Sequence, residues 1–333
     1  MDGVRALAIL AVFFHHALHI KLLWMGVDLF FILSGFLITN VLLEAKRHSL
    51  GGYFPGFYAR RARRILAPYL LTLFIASFFF GTAWLHHWYF YVFLTNFLDT
   101  LHTPRPVAFE PLWSLAVEEQ FYLVWPLAVY FLDERRLRHL AITLVILAPL
   151  LRATFHFSQS WPIYALTPFR MDLLAAGALL CLVWRNHPES IRRRGAALGS
   201  FVILLGLAGL AILGHSGFTT YGNTRIGNTF IYEGSLFACF GFMLYALSGR
   251  GVGWLQTAPL RDIGRISYTM YLVHLGIIVL LTPYLHGLLL VLAALSLTVL
   301  YASISWFVLE RRLLQHKPRV RAPLEAVAVH ETD

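Results

Sequence analysis

Apolar runs of membrane length recur along the whole chain, separated by short segments that hold most of its charge. A hydrocarbon core about 30 Å thick takes roughly 20 residues of α-helix. Segments 6–20, 24–43, 65–85, 112–132, 139–156, 167–184, 196–214, 230–248, 267–283 and 287–309 answer to that requirement. The pattern predicts an all-α polytopic membrane protein with about ten transmembrane helices. A transmembrane β-barrel would instead show segments of about ten residues with alternating polarity. The stretch 86–99 (HHWYFYVFLTNFLD) is too short and too aromatic to span, and reads as an interfacial or re-entrant helix. The first run carries Arg5 and histidines and has no small-residue cleavage motif after it, so it reads as a retained helix rather than a signal peptide.

Composition supports this class: 58% of residues are hydrophobic and 13% charged, against about 25% charged in a soluble domain. The net charge of +10 does not call for nucleic acid, because its distribution has another cause. With the N-terminus inside, 22 of the 27 Lys and Arg fall on the inner segments, and only Lys21, Arg105 and Arg225 on outer ones. That bias predicts both termini in the cytoplasm, and the chain is read as a multi-pass protein of the inner (plasma) membrane. Residues 1–312 read as one membrane-embedded domain and 313–333 as a short, disordered cytoplasmic tail. Cys181 and Cys239 lie far apart in apolar runs and pack as small hydrophobes.

Ionisable residues at membrane depth cost free energy and are candidates for function. Arg5 and His16 are eleven residues apart, within about 20° of the same helical face, with His16 roughly 16 Å above Arg5 and near mid-membrane. His15 lies beside it, and His15 with His19 has metal-ligand spacing without a third ligand, so no metal is expected. Asp28 opens the second run and suits a histidine or arginine partner on a neighbouring helix, or the headgroup boundary. The fourth opens WSLAVEEQFYLVWP, with Trp113, Ser114, Glu118, Glu119 and Tyr122. The two glutamates point about 100° apart, so one at most faces a given site, and either serves equally as interhelical glue. Arg170 and Asp172 begin the sixth run, with partners open between neighbouring helices and Glu118 or Glu119. His274 lies in an apolar helix near the end of the chain. Arg60, Arg61, Arg63 and Arg64 precede the third run, where guanidinium forks suit the phosphates of a nucleotide-bearing cofactor or, equally, anionic lipid.

Six stretches occur in one order across nearly the whole chain: DGVRALAILAVFFHHA, GVDLFFILSGFLIT, FYARRARRIL, WSLAVEEQFYLVWP, FRMDLLAAGALL and GRISYTMYLVH. Together they resemble the acyltransferase family 3 membrane proteins, the bacterial polysaccharide and antibiotic O-acyltransferases. The resemblance implies transfer of an acyl group, usually acetyl, from cytoplasmic acyl-CoA to a hydroxyl of a sugar or related acceptor, with acyl-CoA as donor substrate and no permanently bound cofactor. Arg5 and His16 match the family's hallmark pair. The chain departs from it in carrying His15 beside the matched histidine. Some relatives have a hydrolase-like domain after the last span; none is seen here, an expectation that tells against peptidoglycan as acceptor.

Histidine, with an unperturbed pKa of about 6.5, is matched to take a proton from a hydroxyl at neutral pH. His16 is therefore expected as base, or alternatively as the residue that becomes acylated. Arg5 and the four arginines are expected to hold acyl-CoA. Glu118 or Glu119 would orient the imidazole or pair with Arg5, and Asp28, Trp113, Ser114, Tyr122 and His274 would face the acceptor. A rival reading is a secondary transporter or a transmembrane acyl-group carrier, against which stands the lack of an inverted repeat.

Overall fold

The computed structural model describes residues 1–47, 49–98, 106–219 and 222–315, and among them it holds helices and turns without a strand. In chain order the helices are α1 (Asp2–Leu18), α2 (Met25–Ala45), α3 (Leu50–Phe80), α4 (Leu112–Phe131), α5 (Glu134–Thr154) and the short α6 (Trp161–Ala165). Then follow α7 (Met171–Asn186), α8 (Pro188–His215), α9 (Arg225–Leu247), α10 (Ala258–Leu281), α11 (Gly287–Ser305) and, after a π-helical turn, α12 (Arg311–Gln315). Each predicted span falls on one of these helices. The predicted tail from residue 316 onward lies outside the described residues.

Among the described residues, seven helices are long and apolar enough to cross a bilayer; α1, α4 and α7 fall short of that measure. α1 and α7, of 17 and 16 residues, are shorter than the roughly 20 residues a full span takes, and α4 carries Glu118, Glu119 and Gln120 within its apolar run. α8 is the opposite case, with Phe201, Leu204, Leu205 and Ile212 exposed where lipid would cover them.

α2 and α7 lie against each other at glycines. A Cβ on Gly35 would stand 1.9 Å from the Leu174 carbonyl oxygen, and one on Gly177 would stand 2.0 Å from that of Ile32. Backbone cannot yield as a side chain can, so Gly177→Val is expected to cost about 1–3 kcal/mol or more by forcing the pair apart. The check is the thermal unfolding midpoint in detergent, and an unchanged midpoint would count against so close a contact.

The structure corrects the sequence-based expectation in two places. α3 starts at Leu50, well before the predicted 65, and stops at Phe80. The Arg60–Arg64 segment thus lies inside a long helix, which runs N-terminally past its apolar part despite Gly51, Gly52, Pro55 and Gly56. Of segment 86–99, residues 86–98 are described, and they form 3₁₀ turns (Ala83–His86, Trp88–Phe90 and Thr95–Phe97) rather than a helix. Phe93 takes a left-handed backbone (φ 54°), which interrupts any helix there. The turns are pinned from α3 and α4: Tyr69 donates to the Phe90 carbonyl at 2.9 Å, and Gln120 donates to the Phe93 carbonyl and to Asn96, each at 3.0 Å.

Candidate active site

A cavity of about 480 Å³ opens among α1, α2, α3, α4, α10 and α12. Arg5, Arg60, Arg61, Arg63 and Arg64 all line it, with Ser34, Ser114, Glu118, Tyr122 and Tyr271. Residues 60, 61, 63 and 64 cluster within little more than one helical turn, which is how a single helix presents four cations to one space. Leu313 and Leu314 line the same cavity as Arg5, so the start and the end of the described chain meet at one end of the bundle. A second cavity, of about 490 Å³ between α3, α10 and α11, is lined by apolar side chains apart from Thr72 and Tyr301 and offers no carboxylate or cation.

Within the first cavity, Glu118 is the organised carboxylate. Ser34 donates to its Oε1 at 2.8 Å and Tyr122, one turn along α4, donates to Oε2 at 3.3 Å. The Arg61 guanidinium stands 3.9 Å above the Tyr122 ring, a cation–π contact that steers one cation toward the carboxylate. Glu119 is turned elsewhere: it is absent from the lining, and its Oε1 is buried without a hydrogen-bond partner among the described residues. The helical argument that only one of the two glutamates faces a site therefore holds, and Glu118 is the one. Arg5 is tethered by Asp2 at 2.7 Å.

His16 and His274 do not line the cavity, whereas Tyr271 does. Its hydroxyl donates to the Pro111 carbonyl at 2.9 Å and meets the Ser114 hydroxyl at 2.5 Å. Adjoining it is a histidine pair. His274, fully buried on α10, hydrogen-bonds through Nδ1 to the Tyr271 carbonyl at 2.8 Å, and its Nε2 is 3.3 Å from Nδ1 of His16. His16 Nδ1 is also 2.9 Å from the Val12 carbonyl. α10 runs on from His274 to Leu281, about 10 Å further, while His16 lies in the last turn of α1. Tyr271 adjoins both: it lines the arginine cavity, and its ring lies 5.5 Å from that of His274.

Several predicted roles change. Neither Glu118 nor Glu119 hydrogen-bonds His16; His274 does. His274 does not face the cavity, because both its ring nitrogens are engaged inside the protein. Asp28 is fully buried, paired with Arg170 and accepting from Ser235 at 2.6 Å, with no place in the cavity lining. Arg152 likewise pairs with Asp172 at 2.7 Å and Glu233 at 2.5 Å. Trp113 packs in the aromatic shell around Arg170, 4.6 Å from the Tyr164 ring and 5.9 Å from that of Phe31. These are structural contacts. Ser114 and Tyr122, in contrast, do line the cavity. Ser34 and Tyr271, with Ser267 and Tyr268, are polar lining residues to which sequence reasoning assigns no role. A lone serine inside LFFILSGFLIT, and a tyrosine one turn before His274, are the signals that could find Ser34 and Tyr271.

Comparison with known proteins bears on what this arrangement does. The family described as "Acyltransferase domain" matches residues 1–310. The chain is 32% identical over 329 residues to "Peptidoglycan O-acetyltransferase OatA" of Listeria monocytogenes, a match covering 86% of this chain and 50% of that protein. It is 30% identical over 326 residues to "Putative peptidoglycan O-acetyltransferase YrhL" of Bacillus subtilis, covering 85% and 49%. It is 28% identical over 322 residues to "O-acetyltransferase OatA" of Staphylococcus aureus, covering 85% and 51%. The chain thus spans about half the length of the curated relatives it matches. No solved structure matches.

Proposed function

Since this chain belongs to the acyltransferase domain family matched over residues 1–310, we propose that it transfers an acetyl group from cytoplasmic acetyl-CoA to a hydroxyl of a carbohydrate acceptor across the bacterial inner membrane. The observation that carries the reading is an arginine-lined cavity, one lining side chain of which, Tyr271, adjoins a histidine pair. The arginines bind the phosphates of the donor, and forks fit phosphate oxygens in pairs. The arm bearing the thioester points toward Tyr271, whose side chain swings aside to admit it.

In the transfer step His16 takes the proton of the acceptor hydroxyl as that oxygen attacks the thioester carbonyl. The C–S bond then breaks, the acetyl group stays on the acceptor oxygen, and the imidazolium returns the proton to the departing thiolate as CoA thiol. Two relatives carry peptidoglycan in their names, so a peptidoglycan glycan ranks with surface polysaccharides among the acceptors to be tested, despite the sequence-based expectation against it.

The test is purified protein in liposomes with radiolabelled acetyl-CoA on one side and candidate glycans on the other. Labelled glycan supports the reading; label that crosses with no acylated product would make the protein a carrier instead. Arg5→Lys keeps the charge but loses the fork. It is expected to raise KM for acetyl-CoA about 5- to 10-fold with kcat nearly unchanged, read from donor titrations. An unaltered KM would remove Arg5 from donor binding.

A further inference from the structure

We infer that His274 is a positioning residue that fixes the tautomer of His16 and leaves Nε2 of His16 as the atom that takes the acceptor's proton. The inference rests on His16 being the base, and it adds which nitrogen acts and what holds it there.

A carbonyl oxygen accepts hydrogen bonds and never donates. His274 Nδ1 faces the Tyr271 carbonyl at 2.8 Å, so Nδ1 carries the hydrogen. In a neutral ring the other nitrogen is then an acceptor. That acceptor, His274 Nε2, stands 3.3 Å from His16 Nδ1. His16 Nδ1 in turn faces the Val12 carbonyl at 2.9 Å, so it too carries a hydrogen, shared between that carbonyl and His274 Nε2. One assignment satisfies all three contacts: both rings neutral, both protonated at Nδ1. His16 Nε2 is left with a lone pair and makes no hydrogen bond to a described residue. When it takes a proton, the Nδ1–H of the resulting imidazolium already has two acceptors in place. The chain Tyr271 carbonyl, His274, His16 does what a carboxylate does behind the histidine of a hydrolytic triad, with a neutral partner suited to a low-dielectric site.

The backbone makes the arrangement rigid. The His16 ring is set on its own helix by Val12 one turn back, and the His274 ring by Tyr271 three residues back. The two ring centroids lie 5.0 Å apart at 58°, with α1 and α10 packed along each other. Where the α1 and α10 backbones meet at the other end, a Cβ on Gly264 would stand 2.0 Å from the Asp2 carbonyl oxygen, which fixes the register between the rings.

Substitutions at 274 separate positioning from bulk. Glutamine reaches the place of Nε2 with an amide oxygen, whereas asparagine reaches only the place of Nδ1. His274→Gln is expected to keep kcat within about 10-fold of the parent. His274→Asn and His274→Ala are expected to lose about 100-fold, all with donor KM unchanged. Equal activity in the glutamine and asparagine variants overturns the inference, whether both are active or both dead. A measurement on the unaltered protein guards against misfolded variants: magic-angle-spinning NMR with labelled histidine should contain Nδ1–H tautomer signals that His16→Ala removes. Finding only the Nε2–H form overturns the inference whichever variants insert. If His16→Ala itself retains transfer, the base assignment fails, a result distinct from loss of the glutamine rescue alone.

Discussion

His16→Ala is expected to cut acetyl transfer by about 10³- to 10⁴-fold while the protein remains folded and inserted. The rate argument is that a hydroxyl at neutral pH is a poor nucleophile, and a positioned base contributes about 10²–10⁴. Removing it also removes the acid that returns the proton to the thiolate, so the loss falls at the upper end of that range, about 4–5 kcal/mol in the barrier. The stability argument points the other way. His16 lies in the last turn of α1 and is only partly buried, and its hydrogen bonds reach one carbonyl of its own helix and His274. Truncation leaves His274 Nε2 without its donor, worth about 1–3 kcal/mol. If, as proposed, the donor binds in the arginine cavity, whose lining excludes His16, KM for acetyl-CoA should hold. His15→Ala is the control. Its ring bonds the Ile20 carbonyl at 3.0 Å and takes no part in the link to His274, so its loss should leave kcat within about 3-fold. Single-turnover assays on the two variants decide which histidine acts. If His15→Ala is dead and His16→Ala active, the assignment is reversed.

Much of the fold and part of the site are legible in the amino-acid sequence. The spans are, because a bilayer of fixed thickness imposes a fixed run of apolar residues. The arginine cluster is, because four cations at 60, 61, 63 and 64 fall together on any helix that contains them. That Asp28 takes a cationic or histidine partner if it is buried follows from the cost of burying a charge, but the sequence leaves the headgroup boundary open. Which partner it takes does not follow. The helical period tells which residues share a face, but not which helix comes to lie against that face. The pairing of His16 with His274 spans 258 positions, and that of Asp28 with Arg170 spans 142. Nothing local announces either. The roles of Trp113 and Asp28 are hidden for the same reason. An aromatic or a carboxylate at membrane depth reads alike whether it faces a substrate or closes around a buried guanidinium. The start of α3 is hidden because hydropathy marks where a helix enters lipid, not where it begins.

The buried ion pair gives the second large effect, in stability rather than rate. Arg170 and Asp28 are both fully buried, and Arg170 sits inside a shell of aromatic rings, with Tyr232 at 4.6 Å and Tyr164 at 5.5 Å. Arg170→Met removes one charge and strands the other, for which about 3–5 kcal/mol is the usual cost. At roughly 2–4 °C per kcal/mol the unfolding midpoint should fall by about 10 °C. Asp28→Asn should fall less, since the amide oxygen still accepts from Ser235 or Arg170. The double variant Arg170→Met with Asp28→Leu should regain much of the loss, because no charge is then buried alone. These outcomes also decide between two roles for Asp28. A carboxylate that binds the acceptor would, when changed to asparagine, raise acceptor KM at unaltered stability. A carboxylate that closes a helix junction lowers the midpoint and leaves KM for both substrates alone in whatever protein stays folded. The contacts of Asp28 run from α2 to α7 and α9 and never reach the cavity lining, so the second result is the one expected. A rise in acceptor KM at a constant midpoint would return Asp28 to the substrate site.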